Sequence, residues 1–340
     1  MEPCTTDQHH ASVRAMLDGH WMTQAICAAA ALGVPALLAA RPRDAQWLAR
    51  ETATDANSLV RLLRYLVSLG LVATRADGCF ELTPMGSLLD PAARDSLHPW
   101  ALLRSARWAE REELESSVRT GRPWRSVAGA DNFSELPEDP RAAAVFHQAM
   151  VAVTRRVAMQ VLQVIDFGAT ETVVDVGGGS GEFAIALLNA HPMMQGIVFD
   201  LEHAREGALL QFNKASVAER CRFAAGSFFD AVPPKADTYL LKSVLHNWDD
   251  ERAACILARC RAALSGSARL LIVERILPRQ WTASAAHQSA AASDLRMLVG
   301  LSGRERSESE FRALLAAGRL RLNRVIPTAG EFQVIEAVAN

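Results

Sequence analysis

Acidic residues end two neighbouring strands that the sequence predicts in the second half of the chain. The first predicted strand, 172–176, contains Asp175 and leads into the run GGGSG, and the second, 196–200, ends in Asp200. Because the carboxyl ends of parallel strands meet at one edge of a sheet, both carboxylates are expected at that edge. There they would repel a pyrophosphate and attract a cation or a hydroxyl-bearing ligand.

The glycine run does not fit the dinucleotide-binding pattern GxGxxG, because the sixth residue counted from Gly177 is Glu182. The pattern that fits is DxGxGxG, formed by Asp175, Gly177, Gly179 and Gly181. Glycine flexibility alone would explain the loop, but not the acids at two strand ends. Together they predict a positively charged nucleoside without phosphates, with Asp200 on the ribose diol. S-adenosylmethionine fits that description.

A histidine lies near the same expected edge of the sheet. His246 follows the predicted strand 238–242 in the segment LHNWDD. Its ordinary pKa near 6.5 suits a general base, but a single histidine is more often structural, and the residue types alone leave both interpretations open. The sequence shows no tight set of His, Asp and Glu ligands, so no metal is predicted.

The second half alternates predicted strands and helices, an order typical of a mostly parallel sheet with helices on both faces. This predicts an α/β, Rossmann-like domain whose ligand site lies outside the carboxyl ends of the strands. The seven predicted strands are 172–176, 196–200, 222–224, 238–242, 269–273, 324–326 and 332–335.

The first half is predicted to be helical with one short β interruption. Helices at 43–50 and 58–69, followed by two short strands around an Asp-Gly turn, describe a winged helix. A winged helix can bind DNA, but the second helix offers only Arg61 and Arg64, and phosphate contact needs several clustered cations. A packing or dimerisation module is therefore favoured over a nucleic-acid partner.

A longer helix is predicted at 140–165, with Phe146 and Met150 on one face. Core packing is the simpler interpretation of this face, and a substrate wall is the other. The change in pattern predicts two domains, a helical module over 1–165 and a sheet domain over 166–340.

Composition excludes several classes of protein. Of 340 residues, 50% are hydrophobic and 22% charged, which suits a large core rather than a disordered chain. A net charge of −2 creates no field for nucleic acid or anionic membrane. The apolar run 25–40, broken by Gly33 and Pro35, is shorter than the roughly 20 residues of a membrane span. Six scattered cysteines without a CxxC pair and an N-terminus without secretory features predict reduced thiols and a cytoplasmic location.

Five segments carry further motifs: VVDVGGGSGEFAIALLNAHPMMQGIVFDLEHA, LLKSVLHNWDDERAACILARCRAAL, LLIVERILP, SDLRMLV and GRERSESEF. In this order they resemble the cofactor-binding region and the later motifs of class I S-adenosylmethionine-dependent small-molecule O-methyltransferases. The relatives so implied are plant caffeic-acid-type enzymes and bacterial enzymes of natural-product biosynthesis. That family also carries an N-terminal winged-helix dimerisation domain, so the resemblance covers most of 10–338 and implies a homodimer.

The resemblance implies methyl transfer from S-adenosylmethionine, which becomes S-adenosylhomocysteine, to a hydroxyl of an aromatic small molecule, without a metal. His246 would be the general base, held by Glu274 and Glu305. The cofactor-binding residues would be Asp175, Gly177, Gly179, Gly181, Asp200, Leu201, Ser227, Phe228 and Lys242. The substrate-binding residues would be Phe146, Met150, Asn247, Asp294 and Met297, the last two in a loop, with Trp100 and Trp108 as further walls.

Two positions depart from the family's pattern, which often has Asp where this chain has Ser227 and Asn247. Serine can still hydrogen-bond the adenine amine, whereas Asn247 removes a charge beside the base. Three functions compete: a nicotinamide dehydrogenase, disfavoured by the failed GxGxxG; a winged-helix regulator, disfavoured by charge; and a family member that hydroxylates, decarboxylates or catalyses a pericyclic reaction. The retained His246, Glu274 and Glu305 favour methyl transfer.

Overall fold

The computed structural model describes residues 6–106, 114–123, 140–301 and 303–339. The chain divides into two compact units. The first comprises Met1–Ala109 with Leu136–Ala152, and the second comprises Glu110–Glu135 with Val153–Asn340. The domain boundary expected at residue 165 stays a prediction.

The first unit is mainly helical, as predicted. Its elements are α1 (Thr6–Leu17), α2 (His20–Ala31), α3 (Val34–Ala40), α4 (Ala45–Glu51), α5 (Ala56–Ser68), β1 (Val72–Thr74), β2 (Phe80–Leu82) and α6 (His98–Ala106). Asp55 caps α5 by accepting the backbone N–H of Ser58 at 2.8 Å, and α5 buries Leu59, Leu63 and Leu66 along one face. β1 and β2 pair antiparallel. The helix–turn–helix and hairpin expected from the sequence are present.

The second unit is built on a seven-stranded sheet. Its elements are α7 (Leu114–Thr120), α8 (Pro140–Leu162, shared with the first unit), β3 (Thr172–Val176), α9 (Glu182–Ala190), β4 (Gln195–Asp200), α10 (Arg205–Lys214), β5 (Cys221–Ala225), β6 (Thr238–Lys242), α11 (Asp250–Ala263), β7 (Arg269–Glu274), β8 (Ile276–Leu277), α12 (Ala285–Gly300), β9 (Arg306–Ser307), α13 (Glu308–Ala317), β10 (Leu320–Pro327) and β11 (Gln333–Ala339).

The strand order across this sheet is β10-β11-β7-β6-β3-β4-β5. The five strands from β7 to β5 are parallel, whereas β11 is antiparallel to β7 and to β10. Residues of α11 and α13 join the core on one face, and residues of α8, α9 and α10 join the core on the other. The chain runs outward in one direction from β3 and in the other from β6, so the carboxyl ends of these two strands form the switch point at which open α/β sheets bind their ligands. The predicted α/β fold is confirmed.

Two elements differ from the expectation. Asp294 and Met297, expected in a loop, lie on α12, which begins after Ser284 accepts the backbone N–H of His287. Ser293 is the buried residue of this alanine-rich helix, so no apolar stripe reveals it. The second is a parallel pair, β8 with β9, whose two-residue strands are too short to show alternation.

Among the described residues, no single helix has the length and hydropathy to cross a bilayer. Asp7–Ala31 and Val34–Ala40 would meet that test only as a pair bent by 64°, and only by length and composition.

Candidate active site

Three glycines shape the loop after β3. Gly177, Gly179 and Gly181 have φ of +71°, +56° and +80°, in the left-handed region that favours glycine. A Cβ on Gly177 would lie 2.9 Å from Val244 Cγ2, and one on Gly181 would lie 2.7 Å from Phe212 Cε1. A Cβ on Gly179 would meet no described heavy atom within 4 Å, so the loop is open on that side.

Asp200 ends β4 beside this loop. Its Oδ2 accepts the backbone N–H of Gly179 at 2.7 Å, and its Oδ1 accepts that of Leu201 at 2.7 Å. Hydrogen bonds to an ionised carboxylate are strong, so this side chain fixes the loop to the end of β4. The structure thus brings together three residues predicted at the cofactor site.

Asp175 lies within β3, one residue before its end, and is 2% exposed. Burial raises its pKa to about 7, a backbone hydrogen bond from Ala184 opposes this, and repulsion from Asp200 adds to it. The negative charges of Asp175 and Asp200 therefore repel one another. Additional negative charge would be repelled here, whereas a cation would relieve the repulsion, so these residues fit a positively charged nucleoside such as S-adenosylmethionine.

An aromatic wall borders the same loop. Phe228 Cε1 would lie 3.5 Å from a Cβ on Gly177, and Ser227 Oγ accepts the backbone N–H of Phe229 at 3.2 Å. The rings of Phe228, Phe229 and Trp248 pack edge to face, with centroids 4.9 to 6.1 Å apart. Such a wall suits a flat base.

Lys242 ends β6 and extends toward α8. Its Nζ donates to Thr154 Oγ1 at 3.1 Å and lies 5.7 Å from the centre of the Phe332 ring. Burial lowers its pKa to about 8, while attraction to Glu274 and Asp175 opposes this decrease. Lys242 therefore connects the electrostatics of the glycine loop with those of the next strand end.

His246 lies in the 3₁₀ turn Leu245–Asn247 that follows β6, and its side chain is 11% exposed. Its Nδ1 is 3.1 Å from Glu305 Oε1 and 3.4 Å from Glu274 Oε2, and its backbone N–H donates to Glu274 Oε1 at 3.3 Å. The hydrogen bond of the ring to a described residue is at Nδ1, which leaves Nε2 as the nitrogen that can take up a proton. The three predicted catalytic residues are brought together.

Burial and the two glutamates have opposite effects on the charge of this histidine. Burial lowers the pKa of His246, but attraction to Glu274 and the hydrogen bond to Glu305 outweigh it and raise the pKa above 6.5. Burial also raises the pKa of Glu274. At Glu305 burial acts in the same direction, but the hydrogen bonds from His246 and Ser293 outweigh it and lower the pKa. Glu305 is therefore the ionised partner that would stabilise an imidazolium.

These three side chains also form a ligand set that the sequence analysis did not expect. Ligand atoms of His246, Glu274 and Glu305 lie within 4.8 Å of one another, and all three residues are buried. An imidazole with two carboxylates is a donor set that divalent cations accept. The set is dispersed along the chain. The pairing of β6 with β7 brings His246 near Glu274, and the pairing of β8 with β9 brings Glu305 near them.

α12 holds Glu305 in place. Ser293 Oγ donates to Glu305 Oε1 at 2.7 Å, and Asp294 Oδ1 accepts the backbone N–H of Glu305 at 2.8 Å. Asp294, predicted as a substrate contact, thus also binds the backbone N–H of Glu305. Ser293 was missed, and its contact carries no signal in the sequence because it depends on a helix that periodicity does not show.

The other predicted substrate residues lie on elements of both units. Asn247 donates from Nδ2 to the Ser243 carbonyl at 3.0 Å, and Met297 is half-buried on α12. Met150 lies on the part of α8 that belongs to the first unit, as does Trp100 on α6. The side chain of Phe146 and the whole of Trp108 lie outside the described residues.

Known proteins resemble the chain over nearly its whole length. The model of the O-methyltransferase domain matches residues 110–319, and that of the O-methyltransferase dimerisation domain matches 15–90. The chain is 39% identical to O-demethylpuromycin-O-methyltransferase of Streptomyces alboniger, over 94% of this chain and 86% of the relative. It is 35% identical to phenazine O-methyltransferase PhzM of Lysobacter antibioticus, over 95% of this chain and 94% of the relative.

A solved structure extends the similarity to a ligand-bound protein. NcsB1, an O-methyltransferase from neocarzinostatin biosynthesis, was solved in complex with S-adenosylmethionine and 2-hydroxy-5-methyl naphthoic acid. It superposes with a TM-score of 0.77 and 32% identity, covering 94% of this chain and 96% of NcsB1. The family resemblance inferred from the motifs is confirmed. The chain belongs to the family of S-adenosylmethionine-dependent O-methyltransferases.

Proposed function

We propose that the chain methylates a phenolic hydroxyl of an aromatic small molecule in natural-product biosynthesis, with His246 as general base. The observation that carries the proposal is the buried His246, whose Nδ1 faces Glu305 at 3.1 Å and Glu274 at 3.4 Å. An aromatic acceptor is supported by the phenazine named for one relative and the hydroxynaphthoic acid bound by NcsB1.

The chemistry asks little of the protein beyond orientation and a base. When bound, S-adenosylmethionine supplies a methyl group activated by a positively charged sulfur and leaves as S-adenosylhomocysteine. The residues of the chain must align the acceptor oxygen, accept its proton and exclude water. Since the donor is already electrophilic, no Lewis acid is required, and a metal at Nδ1 of His246 and the two glutamates would displace the hydrogen bond to Glu305 that orients the base.

Proton transfer from a phenol to His246 is uphill for the free groups. A phenol pKa near 10 against a histidine pKa near 6.5 leaves about 3.5 units, or roughly 5 kcal/mol. The two glutamates raise the pKa of His246 and so narrow this gap. Glu305, ionised and hydrogen-bonded to Nδ1, keeps Nε2 free of a proton for the acceptor and stabilises the imidazolium as the methyl group moves.

The cofactor residues divide by the part of the ligand that they suit. Asp200 with Leu201 would accept the ribose hydroxyls, and Ser227 with Phe228 would flank adenine. Gly177 would border the amino-acid end. In addition, Gly179 would keep the loop open, Gly181 would let it pack closely against Phe212, and Asp175 and Lys242 would set its charge. By the family resemblance, the residues that would contact the acceptor are Phe146, Met150, Asn247, Asp294 and Met297, and Asp294 also accepts the backbone N–H of Glu305.

A cytoplasmic homodimer would be the working form. The dimerisation-domain match over 15–90 and the exposed apolar residues Met16, Leu17 and Trp21 support association through the first unit.

The proposal is tested with His246→Ala, since removing the base should lower turnover by about 10²- to 10⁴-fold while cofactor affinity stays within about twofold. Methyl-labelled S-adenosylmethionine and a panel of phenols report turnover, and calorimetry reports cofactor affinity. His203→Ala, which removes an exposed histidine, is the matched control. Wild-type turnover in His246→Ala would refute the assignment, and products without label would identify a non-methylating reaction.

A further inference from the structure

Arg306 is a charged side chain in the interior of the second unit, 1% exposed. Placing a guanidinium there is costly unless each of its five N–H donors finds an acceptor. Its counter-charge, Asp250 at the start of α11, has a side chain that is 65% exposed. A buried arginine paired with an exposed acid contributes little to stability by itself. The role of Arg306 therefore lies in the backbone groups that its guanidinium holds in place.

All five donors of Arg306 have an acceptor within reach. Nη1 donates to the Leu245 carbonyl at 3.0 Å and to the Arg304 carbonyl at 3.4 Å. Nη2 donates to the Trp248 carbonyl at 2.8 Å and lies 2.7 Å from Asp250 Oδ1. Nε donates to the same Asp250 oxygen at 2.8 Å. The planar guanidinium is thus fixed in one orientation.

Two of these acceptors flank the base. Leu245 is the first residue of the turn Leu245–Asn247 that carries His246, and Trp248 directly follows that turn. One rigid planar group therefore holds both ends of the turn. The position of the imidazole follows from the position of this backbone.

The segment that supplies Arg306 contacts the same turn at two further points. Glu305, its immediate neighbour, contacts the His246 ring at Nδ1. A Cβ on Gly303 would lie 2.0 Å from the His246 carbonyl oxygen and 2.4 Å from the carbonyl carbon of Asn247, so only glycine lets the segment approach this closely. Ring, backbone and carbonyls of the turn are thus set by residues 303–306.

We propose that Arg306 is a positioning residue for methyl transfer: it clamps the turn that bears His246 so that the imidazole stays aligned with Glu305 and Glu274. Asp250 orients the clamp from the surface. The inference rests on the proposed role of His246 as base. A displacement of about 1 Å in a reacting group can cost about 10²-fold in rate, so a clamp of this kind is reflected in turnover.

The first test is Arg306→Lys. Lysine keeps the charge, but its single nitrogen cannot donate to both carbonyls and to Asp250 in one plane. We expect kcat to fall about 10- to 100-fold while the S-adenosylmethionine Kd stays within about twofold. The pKa of His246, measured by NMR of labelled histidine, should fall because the ring moves away from the two glutamates. Arg312→Lys, in an exposed pair with Glu308, is the matched control.

Asp250→Ala supplies a variant in which the residue replaced is exposed. It removes the acid that orients the guanidinium, and we expect kcat to fall about 3- to 10-fold, with a lowered His246 pKa and an unchanged cofactor Kd. Glu251→Ala, the next acidic residue in the first turn of α11, controls for the loss of charge at the helix start. This pair of variants keeps the proposal testable if Arg306→Lys does not fold.

The outcomes distinguish the role of Arg306 as a clamp from the role of His246 as the base. Loss of kcat with a lowered His246 pKa in Arg306→Lys or Asp250→Ala supports the clamp. A lower melting temperature with unchanged kcat per cofactor-binding site and an unchanged His246 pKa means that Arg306 only stabilises the fold, and overturns the inference. Turnover that survives His246→Ala overturns the proposed base itself, whatever the clamp variants show.

Discussion

His246 combines two properties that usually exclude one another, burial and a raised pKa. Burial alone would make it a weak base, but Glu274 and Glu305 compensate, and Glu305 does so as an ionised group held by Ser293. The raised pKa also links the histidine to folding. It contributes stability that is complete below pH 6.5 and is lost as pH rises through the raised value.

This balance predicts the pH dependence of catalysis. Since the neutral imidazole is the base, kcat/KM should rise with pH, with a midpoint above 6.5. Glu305→Gln removes the ionised partner, so the midpoint should move to lower pH. The plateau should fall about 10- to 100-fold because the imidazolium is less well stabilised. Steady-state rates between pH 5 and 9 measure both effects.

Glu308→Gln provides the control for that experiment, since it removes an exposed carboxylate that pairs with Arg312. Its profile should match the wild type. If Glu305→Gln kept the wild-type midpoint, Glu305 would not control the charge of His246.

The sequence predicted the site residues whose type and place in a strand suggest their chemistry. It did not predict the residues whose role depends on a contact with a distant segment. Asp175, Asp200 and Glu274 lie in or at the end of strands that periodicity locates, and His246 follows such a strand, whereas Glu305 was named only from the family resemblance. The partners of Glu305 on α12, and the guanidinium of Arg306, depend on contacts between segments far apart in the chain. Asp294, which the resemblance implied as a substrate contact, also accepts the backbone N–H of Glu305, a role that the sequence did not show.

Among the elements, the glycine loop after β3 combines strain with open space. Gly179 has φ +56° and no described atom near the place of a Cβ, whereas Gly177 and Gly181 are closed in by Val244 and Phe212. The open glycine is the one whose N–H is held by Asp200. A Cβ there would meet no described heavy atom within 4 Å but would occupy the side that we assign to the cofactor.

Gly179→Ala should therefore distinguish the cost of backbone strain to stability from the effect of the added methyl group on cofactor binding. The left-handed backbone costs alanine about 1–2 kcal/mol in free energy of unfolding, and the added methyl group should raise the S-adenosylmethionine Kd at least about tenfold. Gly78→Ala, in the β1–β2 turn with φ +80° and equally open space, should cost similar stability without changing the Kd. Urea unfolding and calorimetry measure the two quantities. Equal Kd values for both variants would contradict the assignment of the loop.

The predicted elements agree with the structure where apolar residues repeat regularly, as in α5 and in the buried strands β3, β6 and β7. α12 was not predicted because its own alanines lie on all faces of the helix and form no apolar stripe. The pairing of β8 with β9 places Ile276 opposite Arg306. Glu274, which ends β7, and Glu305, which precedes β9, therefore come close together. Two-residue strands carry no periodicity, so the junction that assembles the acids could not be foreseen.

The whole molecule exposes apolar side chains on its first helices. Leu17 is 73% exposed and Trp21 59% exposed, within or near the segment matched by the dimerisation domain. Exposed apolar side chains on a segment that matches a dimerisation domain support an interface there. The net charge of −2 and the two arginines of α5 favour a second copy of the chain over nucleic acid as the partner.

The double variant Leu17→Asp/Trp21→Asp should convert the homodimer to monomers, because charged side chains cannot be buried unpaired in an apolar contact. Sedimentation velocity measures the change. Met193→Asp, which replaces an 89% exposed methionine of the second unit, should leave the dimer intact. A wild-type chain that sediments as a monomer at micromolar concentration would refute the dimer.

The place of β11 in the sheet has a consequence for biosynthesis. β11 follows every other described strand in chain order, yet it lies between β10 and β7, with Gln333 opposite Glu274. On the ribosome, β7 therefore remains an edge strand until residues 333–339 have been made. His246 and both glutamates precede β11 in the chain, but the strand end that carries Glu274 gains its second neighbour only when β11 pairs with it. We expect the nascent chain to be inactive, so that cofactor consumption begins only once synthesis has closed the sheet.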